Sequence, residues 1–277
     1  MNIRRITEIW IYPIKSLAGI RLEKSNVSPK GLQYDRRWML VDNEGRFLTQ
    51  REHPEMALFK SSIDTEHITI HKVQSKIEGL SPSICINLNG EVSGDVAKVQ
   101  IWNDVVEAAE VDSNHSAWFS KHLSISCKLV FFKEDSLRNI DSDFAKNKEQ
   151  VSLADGYPFL IVGQSSLDEL NRRLEKPISM KRFRPNFVFS DGTPHEEDAW
   201  RNIKVGSVNF EGVKPCSRCV LITVDPATGE KGVEPLKTLS TYRRENGKVY
   251  FGENLIARTN GEVREGDVIE IIDYKNK

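Results

Sequence analysis

The chain has 277 residues, 39% hydrophobic and 29% charged, enough for one large or two medium domains of an ordinary globular protein. Its 39 basic and 40 acidic residues balance, which removes any global charge argument for nucleic-acid or membrane partners. No apolar run reaches the roughly eighteen residues of a membrane span, the start carries no signal-peptide core, and four scattered cysteines make no disulfide framework, so a reducing, cytoplasmic setting is expected.

In chain order, residues 6–14 read as a β-rich run ended by Pro13, followed at once by Lys15 and Ser16, a cation and a hydroxyl suited to a phosphate or to a solvated loop. Residues 22–28 read as a strand, 29–31 as a turn, and 34–41 as a strand carrying Arg36 and Arg37. One of these arginines is expected to pair with Asp35 and the other to be free for an anion. Residues 42–46 read as a hairpin turn and 47–50 as its return strand. Short runs at 57–63, 68–71, 84–88 and 98–106, divided by small or charged turns, suggest a barrel or sandwich. His67 and His71 share a strand face but stand about 13 Å apart by strand rise, so they read as solvated histidines rather than a metal pair. Residues 113–123 read as an amphipathic helix capped by Ser or Asn, and 127–132 as a strand. Residues 133–150 are polar and poor in apolar residues, and a domain boundary is placed near them.

The second half opens with a strand over 159–162 and a helix over 167–174, capped by Ser165 or Ser166, with Leu167, Leu170 and Leu174 on one face. A basic loop, Arg182-Phe183-Arg184-Pro185-Asn186, enters a strand over 187–189. Further strands are expected at 206–213 and 268–272, with a short helical stretch at 236–242 followed by the run 249–255. Between them stands Lys214-Pro215-Cys216-Ser217-Arg218-Cys219, followed by the β-branched run 220–224, which reads as a buried strand, and by the turn 225–229. Asp225 reads as a turn residue.

The Cys-x-x-Cys spacing has three readings. Half of a zinc site needs a second pair of soft ligands, and Cys85 and Cys127 stand alone. A thioredoxin-type dithiol wants a helix after the first Cys, whereas strand formers follow here. The third is a single thiolate on a soft metal, with Arg218 and Lys214 supplying a positive field and holding an anionic cofactor. Cys85 and Cys127 read as small buried hydrophobes. Cations and polar groups at 15–16, 35–37, 182–186 and 214–219 together suggest a site for a phosphorylated, sulfur-liganded metal cofactor.

These stretches resemble the two-domain MOSC proteins, the group that includes the mitochondrial amidoxime-reducing component and its bacterial relatives. The resemblance rests on Trp10-Ile11-Tyr12-Pro13-Ile14-Lys15-Ser16, Asp35-Arg36-Arg37-Trp38, Arg182-Phe183-Arg184-Pro185-Asn186, Cys216-Ser217-Arg218-Cys219 through Asp225-Pro226, Leu236-Lys237-Thr238-Leu239 and Phe251-Gly252-Glu253-Asn254. It spans nearly the whole chain in order. It implies a mainly β fold with a few helices: a β-rich N-terminal domain over 1–130 and a MOSC β-barrel domain over 131–277. It implies molybdenum bound to a pterin dithiolene as cofactor, with Cys219 as catalytic metal ligand and Cys216 unligated. Lys15, Ser16 and Arg36 would hold the pterin phosphate or ring, Arg184, Asn186, Ser217 and Arg218 would complete the cradle, and Asn254 would contact its far side, in a cleft between the two parts.

The function so implied is reduction of N-hydroxylated small molecules such as hydroxylamines, amidoximes and hydroxylated base analogues. The chain ends without the four cysteines of a ferredoxin-type domain that some bacterial members carry, so electrons are expected from a separate donor of ferredoxin, flavoprotein or cytochrome type. A monomer without nucleic-acid or membrane partners is expected. The alternatives are a molybdenum-cofactor or sulfur carrier without reductase turnover, and a dithiol redox protein. No side chain stands out as the proton donor.

Overall fold

The computed structural model describes residues 3–275 apart from 74–78, 91, 93–94 and 145–146. The fold is mainly β. Its largest sheet runs, in spatial order, through Ile269–Tyr274, Trp200–Val205, Val208–Arg218, Lys248–Ala257, Phe159–Gly163, Phe187–Ser190, Arg5–Ile11 and Ile20–Leu22. Every pairing is antiparallel except that of Phe159–Gly163 with Phe187–Ser190. The sheet curls until its first and last long strands meet: Ile6 donates to Asp267 at 2.9 Å, Gly266 donates to Ile6 at 2.7 Å and Ile269 donates to Arg4 at 2.9 Å. Closure of this kind satisfies edge groups that would otherwise template aggregation.

Alternation explains the barrel core. In Arg5–Ile11, residues Ile6, Ile9 and Ile11 are buried, and the break in a strict two-residue period falls where the register slips between Ile6 and Glu8. They pack with Phe159, Phe187, Phe189, Trp200 and Phe210. A second core lies in the first half. There a four-stranded sheet (Trp38–Val41, Lys128–Phe131, Asp104–Glu110, Val96–Ile101) and a three-stranded sheet (Phe59–Ile63, His67–Lys72, Ser83–Asn87) sit with the helix Ser113–Leu123, whose Trp118 and Phe119 contact Phe59. Among the described residues, no helix is long and apolar enough to cross a membrane.

Several sequence expectations change. Residues 34–37 form a turn and only Trp38–Val41 is a strand, because Tyr34 (φ 66°) and Arg36 (φ 50°) hold left-handed backbone that no strand accommodates. Residues 98–106 are two strands around a turn with Trp102 at φ 55°. Residues 47–50 make only an isolated bridge, from Phe47 to Val41. The first helix is capped by Asp112, which accepts from the His115 N–H at 2.8 Å, so neither Ser nor Asn is the cap. The second helix runs Gln164–Arg173 with Gly163 at its N-cap. Ser166 lies inside it and bonds to Glu197 at 3.2 Å. The polar stretch 133–150, of which 145–146 lie outside the described residues, is pinned by buried Arg138, which donates to Ser152 at 2.9 Å and Asp155 at 3.0 Å.

The run 220–224 is not a strand. Val220–Thr223 is a single 3-10 turn. The strand before it, Val208–Arg218, ends where its partner begins: Arg218 pairs with Val249, next to the start of Lys248–Ala257. With no ladder to join, the β-branched residues fold back, and Thr223 Oγ1 bonds the Val220 carbonyl at 2.8 Å. Propensity yields to the absence of a pairing edge.

Candidate functional site

Four chain segments meet at one cavity of about 280 Å³. The first follows strand Arg5–Ile11 and is tied to the second by Arg36 N–H to Tyr12 C=O at 3.0 Å and Lys15 N–H to Trp38 C=O at 2.8 Å. These place Lys15, Ser16 and Arg36 on the wall. The third, the loop into Phe187–Ser190, brings Arg184 and Asn186. The fourth is the end of Val208–Arg218, with Ser217, Arg218 and Cys219, and Asn254 stands across from it on the neighbouring strand. All nine residues singled out in the sequence therefore line the same cavity.

The local backbone is bent to do this. Pro215 has no N–H to give the ladder, and the register against Lys248–Ala257 slips on either side of it, between Gly212 and Lys214 and between Pro215 and Ser217. Such bulges re-aim side chains at strand ends. Ser16 (φ 68°), Arg36 (φ 50°) and Arg184 (φ 54°) hold left-handed backbone, the kind of strain that clusters at ligand sites.

The charge is one-sided. Lys15, Arg36, Arg51, Arg184, Lys214 and Arg218 line the cavity against the single carboxylate Asp155 among the described lining residues. Burial pushes the Lys15 ammonium down to about 8, against the opposing charge of Asp155. Lys15 donates to the Leu153 carbonyl at 2.8 Å and to Asp155. Confinement alone would raise the Asp155 carboxyl; the Lys15 charge and hydrogen bond, with the Arg51 charge, hold it well below the usual carboxylate range. Burial pushes Arg184 down to about 10. Arg36 and Arg184 both lie over the Tyr12 ring, at 4.3 and 4.2 Å from its centre.

Asn186 plays a different part from the cations. Its amide donates to Trp10 C=O and Asp35 at 3.1 Å and accepts from Leu160 N–H and Arg36 at 3.2 Å, so it props Arg36 and has little left for a ligand. Asn254 donates to the Lys214 carbonyl at 3.1 Å. Arg218 donates to Phe251 C=O at 2.9 Å and Phe183 C=O at 3.0 Å, while its Nη2 is buried without a protein partner. Of the paired arginines, Arg36 both bonds Asp35 and reaches the cavity; Arg37 is not free, being buried and bonded to Glu134.

The two motif thiols differ. Cys216 is half-buried against the cluster that contains Phe183 and Phe251, and burial pushes its thiol pKa up. Cys219 is exposed on the cavity wall, and neither is in a disulfide. The cation that bonds the Cys219 sulfur is neither Lys214 nor Arg218. Lys214 is held by Asp141 at 3.5 Å and lies over Phe144. Arg51 takes the place, its Nη1 directed at Cys219 Sγ at 3.6 Å and its guanidinium stacked 4.2 Å over Trp102. Asp225 sits in its turn, accepting from Ala227 N–H and Arg182 at 2.7 Å.

A cavity with an excess of cations, an unpartnered buried guanidinium nitrogen and an open thiol matches the donor set of a phosphate-bearing, sulfur-liganded metal group. Comparison with known proteins agrees with that chemistry. Residues 3–126 match the MOSC N-terminal beta barrel domain and residues 148–270 the MOSC domain. Mitochondrial amidoxime-reducing component 1 of Mus musculus is 30% identical over 96% of this chain and 82% of its own length. The chain belongs to the MOSC family. The Homo sapiens amidoxime-reducing component 1 matches equally, at 30% over the same shares. The molybdenum cofactor sulfurase of Arabidopsis thaliana is 32% identical over 89% of this chain, which spans only 32% of that longer protein.

Proposed function

We propose that this MOSC protein is a molybdenum-cofactor-dependent oxidoreductase that reduces N-hydroxylated small molecules, with electrons from a separate ferredoxin, flavoprotein or cytochrome. The observation that carries the reading is the single cavity in which an exposed Cys219 thiol faces a surplus of cations, in a chain similar over 96% of its length to a protein named for amidoxime reduction.

When bound, a molybdenum–pterin group would supply the two-electron chemistry that removes oxygen from nitrogen. Cys219 is the proposed metal ligand, with the Arg51 guanidinium beside its sulfur. Lys15, Ser16, Arg36, Arg184, Ser217 and Arg218 are the proposed phosphate and ring contacts, fixed guanidinium groups being suited to phosphate. Asn186 holds Arg36 in place, and Asn254 marks the far wall. Asp155, paired with Lys15, is the one carboxylate among the described lining residues and can accept from N–H groups of the ligand. Arg51 is the cation placed to meet an anionic or oxygen-bearing substrate group near the ligand. This reading puts the protein in a reducing cytoplasm, where Cys216 and Cys219 stay as free thiols, and makes it a monomer.

The test is the molybdenum and pterin content of protein made in a cofactor-competent host, wild type beside Cys219→Ser. Near-stoichiometric pterin and metal are expected in the wild type, with metal lost or its coordination altered in the variant. Wild-type protein free of both, from a host that loads a control enzyme, overturns the assignment. A second reading, a cofactor or sulfur carrier, is favoured by the similarity to the plant sulfurase. A loaded protein that fails to reduce an amidoxime or hydroxylamine under chemical reduction favours that carrier.

A further inference from the structure

Beyond Arg184 and Leu221, which border both, lies a second cavity of about 110 Å³ at the seam between the two halves. That volume is several times the roughly 30 Å³ share of one water. Trp10 and Tyr12 give it aromatic sides, and Lys60, Lys181, Arg182 and Arg184 its charge. Gly19 lets the chain pack directly on the Tyr12 ring in this wall: a Cβ there would meet Tyr12 Cε1 at 2.5 Å.

The charge balance is what calls for a ligand. Arg182 is matched by Asp225 at 2.7 Å. Arg184 donates to the Leu17 carbonyl at 2.6 Å and, among the described residues, has no carboxylate in an ion pair with it. Lys60, from the first half, donates to the Pro226 carbonyl of the second at 2.8 Å. Lys181 lies 5.3 Å over the Trp10 ring. Among the described residues neither lysine has an ion-pair partner: burial lowers the Lys60 pKa first and the Lys181 charge lowers it further, and Asp225, already bonded to Arg182, offsets this only in part. Two ammonium groups and a guanidinium around a small hollow are relieved by one dianion between them.

We propose that this hollow is a second anion site, distinct from the cofactor cavity, that takes a phosphate group between Lys60 and Lys181 and so clamps the two halves of the chain. At about 110 Å³ the hollow has room for a phosphate group, and the remainder of a phosphate monoester would lie along Trp10. The site does not depend on the molybdenum reading, and its test involves no cofactor.

The experiment is calorimetric titration of the full chain with inorganic phosphate and, separately, phenyl phosphate. It starts from a Lys15→Met background, so that the larger cavity contributes less. Saturable binding is expected there, with a matching rise in Tm, since a ligand of the folded state stabilises it. Lys181→Met, at an exposed position that tolerates change, weakens binding about tenfold, the loss of one charge-assisted contact of ~1.5 kcal/mol. Adding Lys60→Met abolishes it. Tighter binding of phenyl phosphate identifies a monoester as the natural occupant; equal affinity identifies the free ion. No saturable binding in the Lys15→Met protein, or unchanged affinity in folded Lys181→Met, overturns the proposal.

Discussion

Lys15 joins the geometry of the cofactor cavity to its pH dependence. Its ammonium titrates near 8 in the folded protein, against about 10.4 in an unfolded chain. Between these values the unfolded chain binds the extra proton, so the contribution of Lys15 to stability rises with pH across that window. Ligand binding runs the other way. Below pH 8 the ammonium is charged and attracts an anion; above it the attraction fades. Phosphate affinity of the cofactor-free main cavity should therefore fall about tenfold between pH 7 and 9.5, the worth of one charge-assisted bond. The measurement is a titration in the Lys60→Met/Lys181→Met background. Lys15→Arg, charged throughout, should flatten the profile, and an equal fall in that variant would assign the effect elsewhere.

The same cavity shows what residue types reveal and what they hide. Lys15, Ser16, Arg36, Arg184 and Cys219 were legible because cations, a hydroxyl and a soft thiol recur at expected strand ends. Arg51 was not. It lies just past the stretch 47–50 that reads as a return strand, and its role comes from stacking on Trp102, 51 positions away, a contact with no local spacing. Asp155 was hidden for the same reason: its significance is the Lys15 ammonium across the fold. Conversely, Lys214 is next to the motif in sequence yet is neutralised by Asp141.

At the scale of elements, the barrel strands were readable from apolar alternation, while their ends were not. The strand Val208–Arg218 runs five residues past its expected end at 213 because Lys248–Ala257 offers a long partner, and the run after it fails as a strand because that partner is used up. Gly212 marks the first slip in this pairing. A Cβ there would sit 2.3 Å from the Trp200 carbonyl oxygen and 3.4 Å from Glu253. Backbone cannot yield as a flexible side chain does, so Gly212→Ala should cost about 1–3 kcal/mol or more, the usual penalty of overpacking. In a chain of this size that is a drop in Tm of roughly 2–4 °C per kcal/mol. Gly156→Ala, where a Cβ meets nothing within 4 Å, should not lower Tm. Thermal melts of the pair decide it: a Gly212→Ala protein as stable as wild type would mean the bulge that presents Cys216 to Cys219 is not held by this close approach.

At the scale of the whole molecule, the two family domains are consecutive in sequence but share a barrel. Strand Arg5–Ile11, from the first match, lies in the sheet beside Phe187–Ser190, and its end meets residues 266–269 of the second half. Ile6, Ile9 and Ile11 are at most 1% exposed in the barrel core. Burying each is worth about 1.5–3 kcal/mol, so the strand brings roughly 5–9 kcal/mol, comparable with the 5–15 kcal/mol net stability of a typical domain. Removing it also bares the edge of Phe187–Ser190 and takes Lys15, Ser16, Arg36 and Arg51 from the cavity. Residues 131–277 expressed alone should therefore lack a cooperative unfolding transition and bind hydrophobic dyes, whereas the full chain unfolds cooperatively. A sharp transition and well-dispersed amide spectrum from the fragment would show that the second half closes its barrel without the first strand. The first half would then serve only to complete the cavity.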